Sequence, residues 1–494
     1  MTEVFPAAAG VPPAPPEKGP AGLLANSTAL VASRLVVAAL GWGGMALIAQ
    51  RLSVAKFGQL AFVLGLLGLM SIVTELGIGR IVLAVLVRED AEAATYAGAY
   101  VGLKVILGLL GYAVALAIVL LGGYPAPVVT ATAVAGLMVV IATPAHALDA
   151  IFQARMRLGG VAVADTLGQV AQLGCTVAIA LWRPTLIWFT VPFVLNHVVA
   201  LICRARLLGV LRPRPSVRWA LWRRMLVEAI PLGIGAGLAT LYYRVDILML
   251  SQLDTFESVG IYIIGYKFAD VLVLLAAAVL VPTATLLVRA WPERTDEFRA
   301  LCRRVATLFA VGAVLVAVEF ALLADTAIGL LYGEKYVEGA DAARLLVTGS
   351  AIHAFVLLGY TVMVAAGKQR VYPWVTLVGL VLNVSLNLVL IPIMSYRGAA
   401  LATLVTEVVV LGAMWWAVRR TTGVAGLVDL RPVLGAIAAG TVALGAGLAS
   451  GLVVPWPVVA VAAGVVFLGG LLVTGTLREI RPAELLRQGA RPSG

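Results

Sequence analysis

The sequence is short of charge. Of its 494 residues only 12% are Asp, Glu, Lys or Arg, against about 25% in an ordinary soluble domain, which is too few to cover a water-exposed surface. A soluble enzyme is excluded on that ground. Cysteine is scarce as well: Cys175, Cys203 and Cys302 stand in or beside apolar runs without CxxC spacing. That excludes a disulfide framework or a zinc site and leaves small packing residues. Histidine is limited to His146, His197 and His353, each alone in an apolar stretch. The ordinary reading of each is a hydrogen-bonded packing residue, with a proton-relay role as the alternative for His146 and His353. Hydrolase, metalloprotease, P-loop and dinucleotide-binding motifs do not occur in a credible context.

What is abundant is apolar sequence, 62% of the chain with a mean hydropathy of +1.02. A spanning helix needs about 20 residues, and stretches of that length, punctuated by charge, Pro or Gly, run over 24–50, 57–86, 95–121, 126–152, 159–182, 185–203 and 226–251, then 258–288, 305–332, 342–366, 373–394, 398–418, 432–452 and 456–477. The expected fold is therefore all-α integral membrane with 14 transmembrane helices. Too little sequence remains between them for an extramembrane domain of the usual size, about 100–150 residues, so the work is done inside the bilayer. The first twenty residues carry six prolines and lack the basic and apolar regions of a signal peptide, and are read as a disordered cytoplasmic tail.

Basic residues outnumber acidic ones, 36 to 25, and their placement gives the topology. With the amino terminus inside, twenty-five of the 36 fall on cytoplasmic loops and tails, five on outer loops (Arg51, Lys56, Arg183, Lys335, Arg397) and six within spans. This asymmetry puts both termini in the cytoplasm of a cell (inner) membrane of bacterial type. Nucleic-acid binding is excluded, because the cations are scattered over many loops and form no aromatic-interleaved face. The longest basic loop, Arg204 to Arg224 with Trp219 and Trp222, is expected to lie along the anionic inner leaflet.

An internal repeat appears at about 200 residues. RLSVAKFGQLAFVLG from Arg51 and QLDTFESVGIYIIGY from Gln252 share a polar turn followed by an apolar residue and Gly58 or Gly260; a second pair of basic turns begins at Phe152 and Met363. The simplest partition is a tail over 1–22, a six-helix lobe over 23–204 and a basic interlobe loop over 205–224. A second six-helix lobe follows over 225–420, then a helix pair over 421–478 and a tail over 479–494. Such repeats are a transporter signature, with the substrate path between the halves.

Charges inside spans are the functional candidates, since each costs roughly 2.5–3.5 kcal/mol at a helix centre and faces a cavity or a partner. They are Arg34, Glu75, Arg80, Lys104, Arg244, Asp246, Lys267, Asp270, Glu319 and Glu407. Arg80 and Lys104 are within snorkelling reach of an interface. Lys267 and Asp270, three apart, can meet on one helix face; Arg244 and Asp246, two apart, cannot. Arg34, Arg244 and Lys267 belong to spans that would bound a groove between the halves, where an arginine suits a diphosphate. Asp246 either balances Arg244 or binds a coupling cation. For Glu75, Asp270, Glu319 and Glu407 the readings are ion coupling or structural pairing.

Several blocks in order, RLSVAKFGQLAF with TELGIGR (from Thr74), EAIPLGIGAGLATLYYRVDILMLSQL (from Glu228), VGIYIIGYKFADVL, LLYGEKYVEGADAARLL and AAGKQRVYPWVTLVGLVLNVSLNLVLIP with RGAALATLVTE, resemble the polysaccharide flippases. These are the Wzx-like branch of the multidrug/oligosaccharidyl-lipid/polysaccharide (MOP) exporter superfamily, and the resemblance covers about residues 25–420. It implies two six-helix lobes around a V-shaped cavity with the last two helices outside, and an oligosaccharide on a polyprenyl diphosphate as substrate, moved from the inner to the outer leaflet by alternating access. It also implies that Arg34, Arg244, Asp246 and Lys267 line that cavity. It supplies no cofactor and no defined coupling-ion site, so proton and sodium both stay open. Helices 13 and 14 would touch lipid or a polysaccharide-assembly enzyme. A MATE-type multidrug/cation antiporter, favouring an acidic cavity, is the alternative transporter. A glycan polymerase or glycosyltransferase would need a larger outer loop than any here, and a scaffold would not need these unpaired intramembrane charges.

Overall fold

A computed structural model describes residues 20–87, 91–209, 213–450 and 455–476, and for 20–35, 80, 91 and 231–232 it describes the backbone alone. The expected tails therefore fall almost wholly outside the described residues, apart from the start of the first helix. All regular structure among these residues is helical. The first group comprises α1 (Pro20–Arg51), the broken passage α2 (Val54–Leu69), α3 (Ser71–Thr74) and α4 (Ile78–Leu86), then α5 (Ala91–Leu121), α6 (Ala126–Ala135), α7 (Leu137–Ala154), α8 (Leu158–Trp182) and α9 (Val191–Leu208). The second comprises α10 (Trp219–Leu253), α11 (Phe256–Ala290), α12 (Thr295–Tyr332), α13 (Ala340–Ala365) and α14 (Tyr372–Thr422), followed by α15 (Leu430–Ser450) and α16 (Trp456–Val473). Within the first group α1 packs on α8, α8 and α7 on α9, and α5 on α7; within the second α11 packs on α13, and α14 on α10 and α13. The pair α15–α16 packs on itself and on α12.

Among the described residues eleven helical stretches are long and apolar enough to cross a bilayer, and α10, bent by 60° between Ile230 and Gly233, makes a twelfth. The chain is a multi-pass membrane protein. Set against the fourteen expected, α14 merges two expected spans, and α1 stays outside this tally, its described apolar part Val36–Arg51 being shorter than a span. As a straight helix the 51 residues of α14 would reach about 77 Å, far beyond a bilayer core of about 30 Å. The backbone leaves helical geometry at Ser395 (φ 55°, ψ −140°). Beyond it, a Cβ on Gly398 would overlap the Leu390 carbonyl oxygen, although residues eight apart in a continuous helix lie about 12 Å apart. The two legs therefore fold back on each other.

The repeat read from the sequence is a physical symmetry. Ser53 and Thr255 each cap a helix, accepting from the backbone N–H of Lys56 and Ser258 respectively, and each is followed five residues later by a glycine. Where α2 crosses α11 those two glycines face one another: a Cβ on Gly58 would come 2.8 Å from the Gly260 nitrogen, and one on Gly260 would come 3.2 Å from the Gly58 nitrogen. Each would also overlap a carbonyl of the other helix, Phe256 and Val54, which are themselves repeat-equivalent. Backbone thus meets backbone where the two halves cross, a contact that only glycine permits. The same end is tied by Gln50 Nε2 to the Leu331 carbonyl (2.8 Å), by Lys335 Nζ to the carbonyls of Gln50 (3.2 Å) and Leu52, and by Tyr336 Oη to the Ala49 carbonyl (3.2 Å).

The basic connector departs from expectation. Residues 213–218 thread across Gly98 and Gly102 of α5, with the Ser216 N–H donating to the Gly98 carbonyl (3.0 Å). Trp222 is buried and donates from Nε1 to the Ala99 carbonyl (2.7 Å), whereas Trp219 is exposed. Two glycines one turn apart leave a groove on α5 deep enough for extended backbone, and burying an indole there outweighs holding it at a lipid surface.

Candidate substrate cavity

Between the two groups lies a cavity of about 450 Å³, lined from one side by Trp42, Gly65, Gly68, Gln169 and Gln172 and from the other by Arg244, Ile263, Lys267 and Asp270. Arg244 stands nine residues before the end of α10, and Lys267 eleven after the start of α11. Both are about 14–16 Å from the glycine-crossed end, near the middle of a hydrocarbon layer about 30 Å thick. Among the described residues none of Arg244, Lys267 and Asp270 has an ion-pair partner. Lys267 and Asp270, able by spacing to neutralise each other, do not pair; both project toward the cavity.

The repeat relates the two walls position by position. Trp42 corresponds to Arg244, Ala61 to Ile263, Gly65 to Lys267 and Gly68 to Asp270, and all eight line the cavity. The first group contributes only uncharged residues at these places and the second contributes every charge. Above the neutral wall, Asn196 donates to Gln169 Oε1 (3.1 Å) and Gln172 Oε1 (2.7 Å), which leaves the amide nitrogens of both glutamines free to donate. These amides were not singled out by sequence. A Gln at i and i+3 on an apolar helix is a readable polar stripe, but its partner Asn196 lies on another helix.

Other candidates lie elsewhere. Asp246, expected beside Arg244, does not line the cavity: it is 1% exposed and accepts from Tyr262 Oη (2.6 Å), Tyr266 Oη (2.6 Å) and the Ile247 N–H (2.8 Å). Two residues along a helix turn the side chain by about 200°, which carries it away from the cavity and onto α11. Three donors surrounding a carboxylate complement an anion and leave little acceptor capacity for a cation. Glu407 is buried on the second leg of α14, between Tyr242 Oη (2.8 Å) and His353 Nδ1 (2.9 Å). Glu75 pairs with Lys104 (3.0 Å) and lies 3.5 Å from His146 Nδ1. Lys104 does not snorkel. It is 0% exposed and donates to the Thr74 carbonyl (2.6 Å), which the helix break at Leu76 and Gly77 (φ 42° and 74°) leaves without an intrahelical donor. Glu319 faces α16, 3.5 Å from where a Cβ on Gly464 would stand. Arg204, grouped by sequence with the connector, is buried between Asp149 and Asp165 (2.6 Å to each). The side chains of Arg34 and Arg80 lie outside the described residues.

Residues 47–341 match the family model described as polysaccharide biosynthesis protein. The chain belongs to that family. Among solved structures this polysaccharide biosynthesis protein is similar to the lipid II flippase MurJ in an inward closed conformation, with a TM-score of 0.73 at 11% identity, covering 91% of this chain and 98% of that one. It is also similar to an inward-facing multidrug resistance MATE family transporter of the MOP superfamily (TM-score 0.63, 14% identity, 78% of this chain and 94% of that one). A MOP superfamily transporter from Pyrococcus furiosus matches as well (TM-score 0.59, 14% identity, 81% and 95%). The fold is that of the MOP transporters. No curated protein matches the sequence.

Proposed function

We propose that this polysaccharide biosynthesis protein is a flippase that moves a polyprenyl-diphosphate-linked oligosaccharide, the repeat unit of a cell-surface polysaccharide, from the inner to the outer leaflet by alternating access. The observation that carries the reading is the pair Arg244 and Lys267, held without an ion-pair partner at mid-membrane depth between two repeat-related halves. Basic groups kept there at a cost of roughly 2.5–3.5 kcal/mol each on insertion scales are stabilised when a diphosphate enters. Arg244 offers a planar fork for two phosphate oxygens and Lys267 a point charge. The amide nitrogens of Gln169 and Gln172 on the facing wall suit sugar hydroxyls, and the lipid tail stays in the bilayer between the halves. Arg34, seventeen residues before the end of α1, belongs to the same path on this reading.

The family description and the likeness to a lipid II flippase support cargo of this class. By the distribution of basic residues, the glycine-crossed end faces outward and the termini face the cytoplasm of a bacterial-type inner membrane. The partners are the lipid-linked glycan, membrane lipid and the polysaccharide-assembly enzymes that deliver and consume the cargo. An antiporter of cationic drugs fits less well, because Asp246 and Glu407 are taken up by tyrosine and histidine, and in the cavity lining the cations Arg244 and Lys267 outnumber the acid Asp270.

The deciding experiment deletes the gene and measures polyprenyl-linked sugars separately in each leaflet. Accumulation on the cytoplasmic side supports the flippase. Unchanged lipid-linked sugar with new sensitivity to cationic drugs supports the antiporter instead.

A further inference from the structure

Positions 42 and 244 are the same place in the repeat, yet one carries an indole and the other a guanidinium, and both line the cavity. A diphosphate accounts for Arg244 and leaves Trp42 without a role. The setting of Trp42 is specific. Its ring meets Phe268 (centroids 5.5 Å apart, 90° between planes) and Tyr332 (6.4 Å, 70°), both at steep angles, and no aromatic ring among the described residues lies flat on it. Trp42 Nε1 is buried without a hydrogen-bond partner among the described residues. The polar edge is thus turned into the protein, and what the indole presents to the cavity is carbon. Beside it the wall is flat, built from Ala38, Gly41, Ala61, Gly65 and Gly68, and a Cβ on Gly68 would meet nothing within 4 Å.

Two donors stand next to the indole. Gln169 and Gln172 are buried on α8 and line the cavity, and Asn196 occupies the Oε1 atom of each (3.1 and 2.7 Å), which orients both amides and keeps their nitrogens free. Gln169 Nε2 reaches the residue before Trp42: a Cβ on Gly41 would stand 3.4 Å from it, so the glycine gives the amide its place beside the ring. An apolar aromatic face with preset N–H donors matches the two aspects of a sugar. The weakly positive C–H bonds on one face of a pyranose lie against the negative π face of the indole, and the hydroxyl oxygens at its rim accept from the amides. Both cations of the lining, Arg244 and Lys267, belong to the opposite wall, so this wall offers nothing to a sugar carboxylate.

We propose that Trp42, Gln169 and Gln172 form a saccharide subsite that takes an uncharged pyranose ring, the one joined to the diphosphate, while Arg244 and Lys267 hold the diphosphate across the cavity. A cavity of about 450 Å³ falls within the range of about 300–1,000 Å³ usual for small-molecule sites, which suits a diphosphate with its first sugar and not a long glycan. Recognition therefore falls on the junction of lipid and glycan, and the sugars beyond it are left to vary. The inference rests on the flippase reading.

The test uses the full-length protein in lipid nanodiscs and two probes, geranylgeranyl diphosphate and the same lipid carrying one glucose on its terminal phosphate. Glucose is expected to tighten binding about 10-fold, the worth of one aromatic contact with a hydrogen bond. Trp42→Ala is expected to remove most of that gain while affinity for the bare diphosphate changes by less than about 2-fold, and Arg244→Ala to weaken both probes alike. Gln172→Met, on a different helix, is expected to cut the gain about 3-fold and carries the test where Trp42→Ala does not fold. Equal binding of the two probes by wild type, a gain that survives either variant, or a Trp42→Ala loss shared equally by the bare diphosphate overturns the subsite. Failure of wild type to bind either probe, or bare-diphosphate affinity untouched by both Arg244→Ala and Lys267→Ala, overturns the flippase reading and the subsite with it.

Discussion

The two lobes bury charge by opposite means. In the first, every fully buried charge described meets an opposite one: Lys104 meets Glu75, and Arg204 meets both Asp149 and Asp165. In the second, the deepest carboxylates meet phenols, a backbone N–H and an imidazole, while its cations stand unpaired in the cavity. Ion pairs lock a geometry, because removing either member strands the other in a low dielectric. Carboxylates held by neutral donors leave no opposite charge behind when a donor is lost, and unpaired cations can exchange ligands. The first lobe is thus built as a rigid wall and the second as the responsive one, although both descend from one repeat pattern.

The largest effect that would break this contrast is on stability. Lys104→Met or Arg204→Met removes the buried member of each pair, leaves partly exposed acids uncompensated and is expected to cost about 1.5–3 kcal/mol, read as a lowered unfolding midpoint in detergent. Midpoints matching wild type would mean that the pairs of the first lobe are not structural.

Next comes transport. Arg244→Ala, or Lys267→Ala, is expected to reduce delivery of lipid-linked sugar to the outer leaflet by about 10- to 100-fold, the worth of a hydrogen bond to a charged group, about 1.5–3 kcal/mol, with insertion and unfolding midpoint unchanged. Undiminished transport in both would remove the cavity from the mechanism.

The glycine crossing sharpens the comparison because there the halves are alike. Gly58→Ala and Gly260→Ala are each expected to cost about 1–3 kcal/mol by overpacking, Gly58→Ala somewhat the more because its Cβ would overlap the facing carbonyl more deeply, and each to weaken the close approach of α2 to α11. Chemical cross-linking between α2 and α11 would detect this, and a large inequality between the two variants would argue against the symmetry.

The smallest effect is expected from the isosteric changes Asp246→Asn and Glu407→Gln. Tyrosine donors remain partnered by an amide oxygen, so the stability change should stay near or below about 1 kcal/mol, well short of Lys104→Met. A loss as large as that of Lys104→Met would erase the distinction between the lobes.

Much of the fold can be read locally. Apolar run length places α8 at 158–182 against an expected 159–182, and the turn ahead of Gly58 and Gly260 reveals the repeat because a polar cap followed by a glycine is a pattern within one chain segment. Arg244 and Lys267 stand out by the cost of placing a charge deep in a span. What the sequence does not reveal depends on tertiary neighbours. Trp222 reads as interfacial until Gly98 and Gly102 of α5 open a groove for it, and Lys104 reads as a snorkelling side chain until the broken turn at Leu76 offers it a carbonyl. His353 and Glu407 sit 54 residues apart on different helices, and no periodicity links them. Asp246 reads as a cavity residue beside Arg244, whereas its direction depends on where α11 packs, which one helix alone does not specify.

The reciprocal crossing of Gly58 and Gly260 also bears on how such a chain can change over generations. After a duplication, most positions of one copy are released from those of the other, and here Gly65 and Lys267, or Gly68 and Asp270, show how far equivalent sites can diverge. At the crossing that freedom is absent, since each glycine is held to its size by the backbone of its own duplicate. The halves form a neutral wall and a charged one while each keeps a glycine at the point where their backbones touch.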